Sequence, residues 1–330
     1  MKNISAKLVA TILFGVLFAS FSPSAQAQRD DGEARLRAAR KRADLASPQS
    51  GENSGIRLNC SDARRKQTLS GLLAKLPAAL PVTIRVSGAC QDNISIIGFE
   101  HVTLVAETGA SISDASGQGD PVIFVSRTGT FEMQGFTING GEVDCVDFST
   151  CYFSGNTVQN APGNGFNVDQ SSAEFSGDVA TKNGNVGLRV TGGSVASADS
   201  VSILNNAGFG SFVNFGSTLI GSNMNVQNNA LGVRLSTHAL LELSDSNVSN
   251  NLTDGIFVLV GSEGYFSGNT INGNGQAGVR VRDLSMVVFP GGSDVTGNLG
   301  GTDVVCEGQF GAARDTATSI NGGTSNCTPE

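Results

Sequence analysis

One phrase repeated at a fixed interval constrains this chain more than any other feature. Gly232-Val233-Arg234-Leu235 returns as Gly255-Ile256-Phe257-Val258, then as Gly278-Val279-Arg280-Val281, each step being 23 residues. A period in the twenties marks a solenoid, in which each repeat is one coil stacked on the next. Three apolar ladders carry the period along the chain. The first runs Val146, Val168, Val190, Val213, Leu235, Val258, Val281, Val304. The second runs Phe131, Phe153, Phe175, Ala198, Ile220, Leu243, Phe266, Phe289, and the third Val158, Ala180, Ile203, Val226, Val248, Ile271, Val295. Around each rung apolar residues alternate, as in Leu241-x-Leu243, the period of a strand with one buried face. Each coil therefore supplies three short strands.

Gly, Asn, Asp and Ser fill the gaps, as in Ser154-Gly155-Asn156, Asn205-Asn206 and Asn250-Asn251. These residues tolerate positive φ and make tight corners. No helix fits between such corners, so coils pair strand on strand in parallel, with the right-handed crossover that parallel connections favour. The expected fold is all-β: a right-handed parallel β-helix of about ten coils of 22–23 residues with a short N-terminal capping helix.

With the ladders in hand, the coils resemble those of the pectate-lyase-like superfamily. Thr83-Ile84-Arg85-Val86-Ser87-Gly88-Ala89-Cys90, His101-Val102-Thr103-Leu104-Val105 and Gly109-Ala110-Ser111-Ile112 look like the opening coils of such proteins. The resemblance covers roughly residues 66–310 and speaks for fold, because one fold hosts many functions.

Taken in order, residues 1–27 read as a secretory signal: Lys2 and Lys7, an apolar run from Leu8 to Phe21, then Ala25-Gln26-Ala27. Residues 28–59 read as a polar linker and 60–81 as the N-terminal cap. Leu69, Leu72, Leu73 and Leu76 sit there at helical spacing, before Pro77 and Pro81. The cap would cover the open first coil, which otherwise exposes core and strand edges. The β-helix spans 82–305, and 306–330 closes the other end as a tail. After signal removal no stretch is long and apolar enough to span a membrane. The net charge is −8, and losing Lys2 and Lys7 makes it more negative by two. An acidic chain of this kind is no general binder of nucleic acid. Six cysteines in an exported chain suggest disulfides. Local geometry favours Cys60–Cys90, Cys145–Cys151 and Cys306–Cys327.

A β-helix interior is packed, so chemistry must sit on outward positions. In the first strand of each coil one outward column reads Cys145, Asn167, Arg189, Phe212, Arg234, Phe257, Arg280. Its neighbour reads Asp147, Asp169, Thr191, Asn214, Ser236, Leu259, Arg282. Arg takes carboxylates in bidentate fashion, and a flat ring offers apolar surface to a sugar. Asn167, Arg189, Phe212, Arg234, Phe257, Arg280 and Arg282 are thus candidates for binding an acidic polysaccharide. Asp147 and Asp169, on neighbouring rungs, are candidate Ca²⁺ ligands. The resemblance adds that pectate lyases use carboxylate-bound Ca²⁺ and an Arg base beside a uronate carboxylate. It places Arg189, with Asp147 and Asp169, as the catalytic candidates. The plainer reading is that outward Arg covers outward Phe and the acids serve turns.

The motifs of the enzyme families are missing. WiDH, RxPxxR, NTD, GHG and RIK are absent, and the chain has no Trp. Within the coils Lys182 is the sole lysine, and His238 the sole histidine near the face. An ice-binding face needs a flat Thr array, which mixed Arg, Phe and Asp do not supply. Two functions stand: a secreted or periplasmic protein that binds an acidic polysaccharide, lyase- or epimerase-like at its furthest, or a non-catalytic structural or adhesion protein of the envelope or matrix.

Overall fold

The computed structural model describes residues 55–62, 67–307, 312–314, 320 and 322–327. The signal segment and nearly all of the linker lie outside the described residues. The described strands form three parallel sheets, of twelve, ten and nine strands. Each coil adds one strand to each sheet in turn, as Thr150–Ser154 (twelve-stranded), Thr157–Gln159 (nine-stranded) and Phe166–Asp169 (ten-stranded) do. The three sheets enclose one continuous apolar core. One helix occurs among the described residues, Leu69–Leu73, which ends before the last leucine of the spacing, Leu76. Thr68 caps it by accepting from the Gly71 N–H, and Leu69, Leu72 and Leu73 are buried in the core. The solenoid starts earlier than residue 82: Ile56–Asn59, placed in the linker by its polarity, pairs in parallel with Val82–Ser87.

The ladders are real, with four frame corrections. Cys145, not Val146, stacks beneath Val168, and Val146 pairs with Asp169. Cys306, not Val304, stands opposite Val281. Met133, not Phe131, lies beneath Phe153, while Phe131 stacks on Cys151 two positions along the same face. Gly221, not Ile220, follows Ala198, and Ile220 points outward. The causes are physical. A half-cystine packs as an apolar residue, and two inward positions on one strand preserve parity when a coil is shortened. Gly221 leaves space that Met224 fills: a Cβ there would stand 2.4 Å from Met224 Sδ. The core aromatics stack across coils, with Phe153 and Phe175 centroids 4.9 Å apart. The three disulfides are those expected from local geometry.

Many corners share one device, a residue in the left-handed region followed by a buried polar one. Asn205, Asn228 and Asn250 have φ of 58°, 56° and 57°. The residues that follow, Asn206, Asn229 and Asn251, are buried and form a ladder with Asn183, Asn274 and Asn298. Each amide in it donates to the next Oδ1 at 2.9–3.2 Å. A second corner stacks Ser149, Ser171, Ser194 and Ser217, each hydroxyl accepting the backbone N–H of the coil before at 3.1 Å. These side chains satisfy the backbone groups that a corner takes out of the sheet ladder.

Candidate functional site

The outward face of the ten-stranded sheet carries the column that the repeat implies, shifted at its start. In register it reads Phe124, Asp144, Asn167, Arg189, Phe212, Arg234, Phe257, Arg280. Cys145 turns inward to its disulfide, and Asp144 takes the outward place. Cys145 was read as the outward residue because Val146 looked like the better core side chain. This one-residue slip hid Asp144.

Asp144, Asn167 and Arg189 sit on consecutive rungs. Asn167 donates from Nδ2 to Asp144 Oδ1 at 3.3 Å, and Arg189 donates from Nη1 to Asn167 Oδ1 at 3.1 Å. Asp144 is only 7% exposed. Glu142 lies two residues back in the chain, just before the strand Val143–Val146 that carries Asp144. Burial first, then the Glu142 charge, pushes Asp144 up to about 7, against the opposing pull of Asn167 and Arg189. Glu142 accepts from the Asn164 backbone N–H at 2.6 Å. Beside this group runs a longer corner, residues 114–121. Asp114 ties it by accepting from Ser116, Gly119 and Asn93. Those bonds, led by Ser116, hold the Asp114 carboxyl well below the usual carboxylate range. Gly119 packs against Pro162, where a Cβ would stand 2.5 Å from the proline ring. The corner leads into Val122, whose N–H donates to the Glu142 carbonyl.

The four arginines of the face differ in what they already hold. Arg280 is committed: it clamps buried Asp254 through Nε and Nη2, each at 3.0 Å, and pairs with Glu307. Arg282 lies over the Phe257 ring at 5.0 Å and within 3.1 Å of Asp283, an ion pair without hydrogen-bond alignment. Arg234 lies 5.3 Å from the Phe209 centroid and 5.6 Å from that of Phe212. Among the described residues neither Arg189 nor Arg234 forms an ion pair. The stacking read from the sequence therefore holds for Arg234 and Arg282, while Arg280 is a structural clamp.

Asp147 and Asp169 do not face each other. Asp147 sits at a corner with φ 53° and accepts from Ser126 Oγ in the preceding coil at 2.8 Å. Asp169 leans the other way, against Gly192 of the following coil. The described residues hold no group of three His, Cys, Asp or Glu arranged for a metal ion. The residues do not fit a Ca²⁺ site. His238, at another corner with φ 60°, is exposed. Sequence reasoning also passed over the twelve-stranded face, where Glu132, Tyr152 and Glu174 share one outward column and His101 Nε2 lies 3.0 Å from Glu132 Oε1. Burial raises the Glu174 carboxyl.

A family model described as a right handed beta helix region matches residues 134–298, half of the chain. The chain belongs to this right-handed β-helix family. Among solved structures, this β-helix protein is similar to the A-module of the Azotobacter vinelandii mannuronan C-5 epimerase AlgE4. The TM-score is 0.53 at 15% identity, over 71% of this chain and 85% of that one. The AlgE6 A-module from the same organism gives 0.50 at 15% identity, over 71% and 76%. At such identity the likeness shows the fold alone. No curated protein matches this β-helix chain in sequence. No helix among its described residues is long and apolar enough to cross a membrane.

Proposed function

We propose that this is a secreted or periplasmic β-helix protein that binds an acidic polysaccharide along the outward face of its ten-stranded sheet. One observation carries the reading: Arg189 and Arg234 flank Phe212 in one column, and neither is paired with a carboxylate among the described residues. Two rungs span about 9.6 Å, which suits alternate carboxylates of an extended uronate chain, with the ring between them under a sugar. Polysaccharide as the partner class is supported by the two structural relatives, both named mannuronan C-5 epimerase modules. Three disulfides support an oxidising compartment. Lyase- or epimerase-like chemistry is the furthest extension of the reading. It requires an acid–base group near Arg189, for which Asp144, two rungs away and linked to it through Asn167, is a better candidate than Asp147 or Asp169.

The second reading, a non-catalytic structural or adhesion protein, is favoured by Arg280 and Arg282 being already partnered. A panel of acidic and neutral glycans separates the two. Exposed ion pairs are weak and screened, so binding is expected to be modest and to fall as salt rises. Replacing Arg189 and Arg234 together with Gln is expected to abolish it with the fold intact. Equal binding by the double variant, or no binding of any acidic glycan by the parent, hands the protein to the structural reading. Formation of unsaturated ends or of epimerised residues, lost in Asp144→Asn, is the separate mark of catalysis.

A further inference from the structure

We propose that Phe215 is a sugar platform at the corner beside the Arg189–Phe212–Arg234 column, and that it takes an uncharged side unit of the acidic glycan bound there. The inference rests on the acidic-glycan reading and adds the shape of the ligand: a uronate chain with neutral branches. Phe215 is 59% exposed, and its backbone has a φ of 51°. Bulky side chains rarely enter that left-handed region, and a ring standing in water recovers little of the cost by packing. The preceding coil turns the same corner with Gly192 and Gly193, and the Gly193 N–H donates to the Phe215 carbonyl at 3.0 Å. Nothing lies within 4 Å of where a Cβ would stand on Gly193 or on Gly216. The ring therefore borders a bare shelf of backbone.

The groups around the shelf fit hydroxyls and not a carboxylate. The Asp169 carboxylate lies against Gly192 and has no hydrogen-bond or ion-pair partner among the described residues. Asn214, just before the ring and 6% exposed, has an Oδ1 likewise without a partner. No Lys or Arg stands at residues 191–193, 214–216 or 236–238. A ring with a free acceptor beside it suits an uncharged sugar, whose C–H face covers the ring while its hydroxyls donate. A uronate in that place would meet the Asp169 charge. Position decides that the unit is a branch. Phe212 stands three residues before Phe215, roughly 10 Å along the strand. A chain lying along the column over Phe212 passes beside Phe215, and only a side unit reaches the ring.

The test is calorimetric titration of the full chain, at low salt, with a tetramannuronate and with a set of tetramannuronates that each carry one glucose branch, on each unit in turn. At least one branched member is expected to bind the parent about tenfold more tightly than the unbranched chain, the worth of one aromatic contact. Phe215→Gly, whose backbone suits the corner, is expected to bind every member as weakly as the unbranched one and to melt no lower than the parent. Phe215→Asn, which also tolerates the left-handed region, is expected to do the same and serves if the glycine variant does not fold. A parent with no preference for any branched member, or a Phe215→Gly that keeps the preference, overturns the platform and leaves the glycan reading standing. Loss of unbranched binding in both variants places the ring under the main chain and overturns the branch. A melting temperature well below the parent's in both variants assigns the ring to packing instead. No binding of any member by the parent sinks the glycan reading and takes the platform with it.

Discussion

Asp178 shows how much one side chain can do inside a solenoid corner. It is fully buried, and its carboxylate accepts from the Asn156 backbone and side-chain amides at 2.8 Å and from the Ser176 N–H at 3.0 Å. Burial outweighs those bonds and lifts its pKa to about 6. The folded state therefore holds this proton more tightly than the unfolded chain does. Stability from Asp178 is complete below about pH 4, declines as pH rises to about 6, and is lost above that. A shift of about two units corresponds to roughly 3 kcal/mol. Urea unfolding of the parent and of Asp178→Asn, compared at pH 4 and pH 7, is expected to show their difference changing by about that amount. A difference independent of pH would show that Asp178 keeps no proton in the fold. In sequence Gly177-Asp178 is one more Gly/Asp gap between apolar segments. Nothing in a dipeptide says whether its second residue faces water or core.

At the scale of the element, the corner ladders matter as much as the apolar columns. Asn229 Oδ1 takes the backbone and side-chain N–H groups of Asn206, at 2.9 and 3.0 Å. Its own amide donates to Ile203 O and to Asn251 Oδ1. Replacing it with Ala orphans buried groups on both neighbouring coils, at an expected cost of roughly 3 kcal/mol. Asn228→Gly, at the exposed left-handed position beside it, is expected to leave the unfolding midpoint nearly unchanged. If the two variants unfold alike, the ladder contributes little. The glycine of the repeated phrase belongs to the same device: a Cβ on Gly232 would stand 2.8 Å from Val248 Cγ1 and 2.8 Å from the Asn251 amide. The feature that marks the repeat in sequence is the clearance that the asparagine ladder needs.

For the molecule as a whole, the ends are the weak points of a stack in which each coil touches only its neighbours. Cys60–Cys90 bonds the segment after the first described strand to the first strand of the nine-stranded sheet, and Cys306–Cys327 pins the final described segment. Cys145–Cys151 instead joins two sheets within one coil, beneath the candidate site. Hydrogen exchange on reduced protein is expected to lose protection first in the coils around Cys90 and Cys306, with coils between residues 170 and 250 opening last. Unchanged protection at both ends after reduction would show that packing alone closes the stack.

The architecture was legible because the repeat states it many times over: period, alternation and corner residues agree in every coil, and each coil can be checked against the next. The cysteine pairs were legible for a related reason, since a solenoid brings residues close in sequence close in space. The site was legible only in part. Asn167, Arg189, Phe212, Arg234 and Arg280 stand in the outward column that the spacing implies. Asp144 was hidden because side-chain direction flips with a one-residue slip of register, and Cys145 and Val146 compete for one inward place. Which arginine is free was beyond the sequence altogether. Asp254 reaches Arg280 from the neighbouring coil, and Phe209 reaches Arg234 across a rung. Period and polarity determine which residues face outward; only the packed stack determines which of them already have a partner.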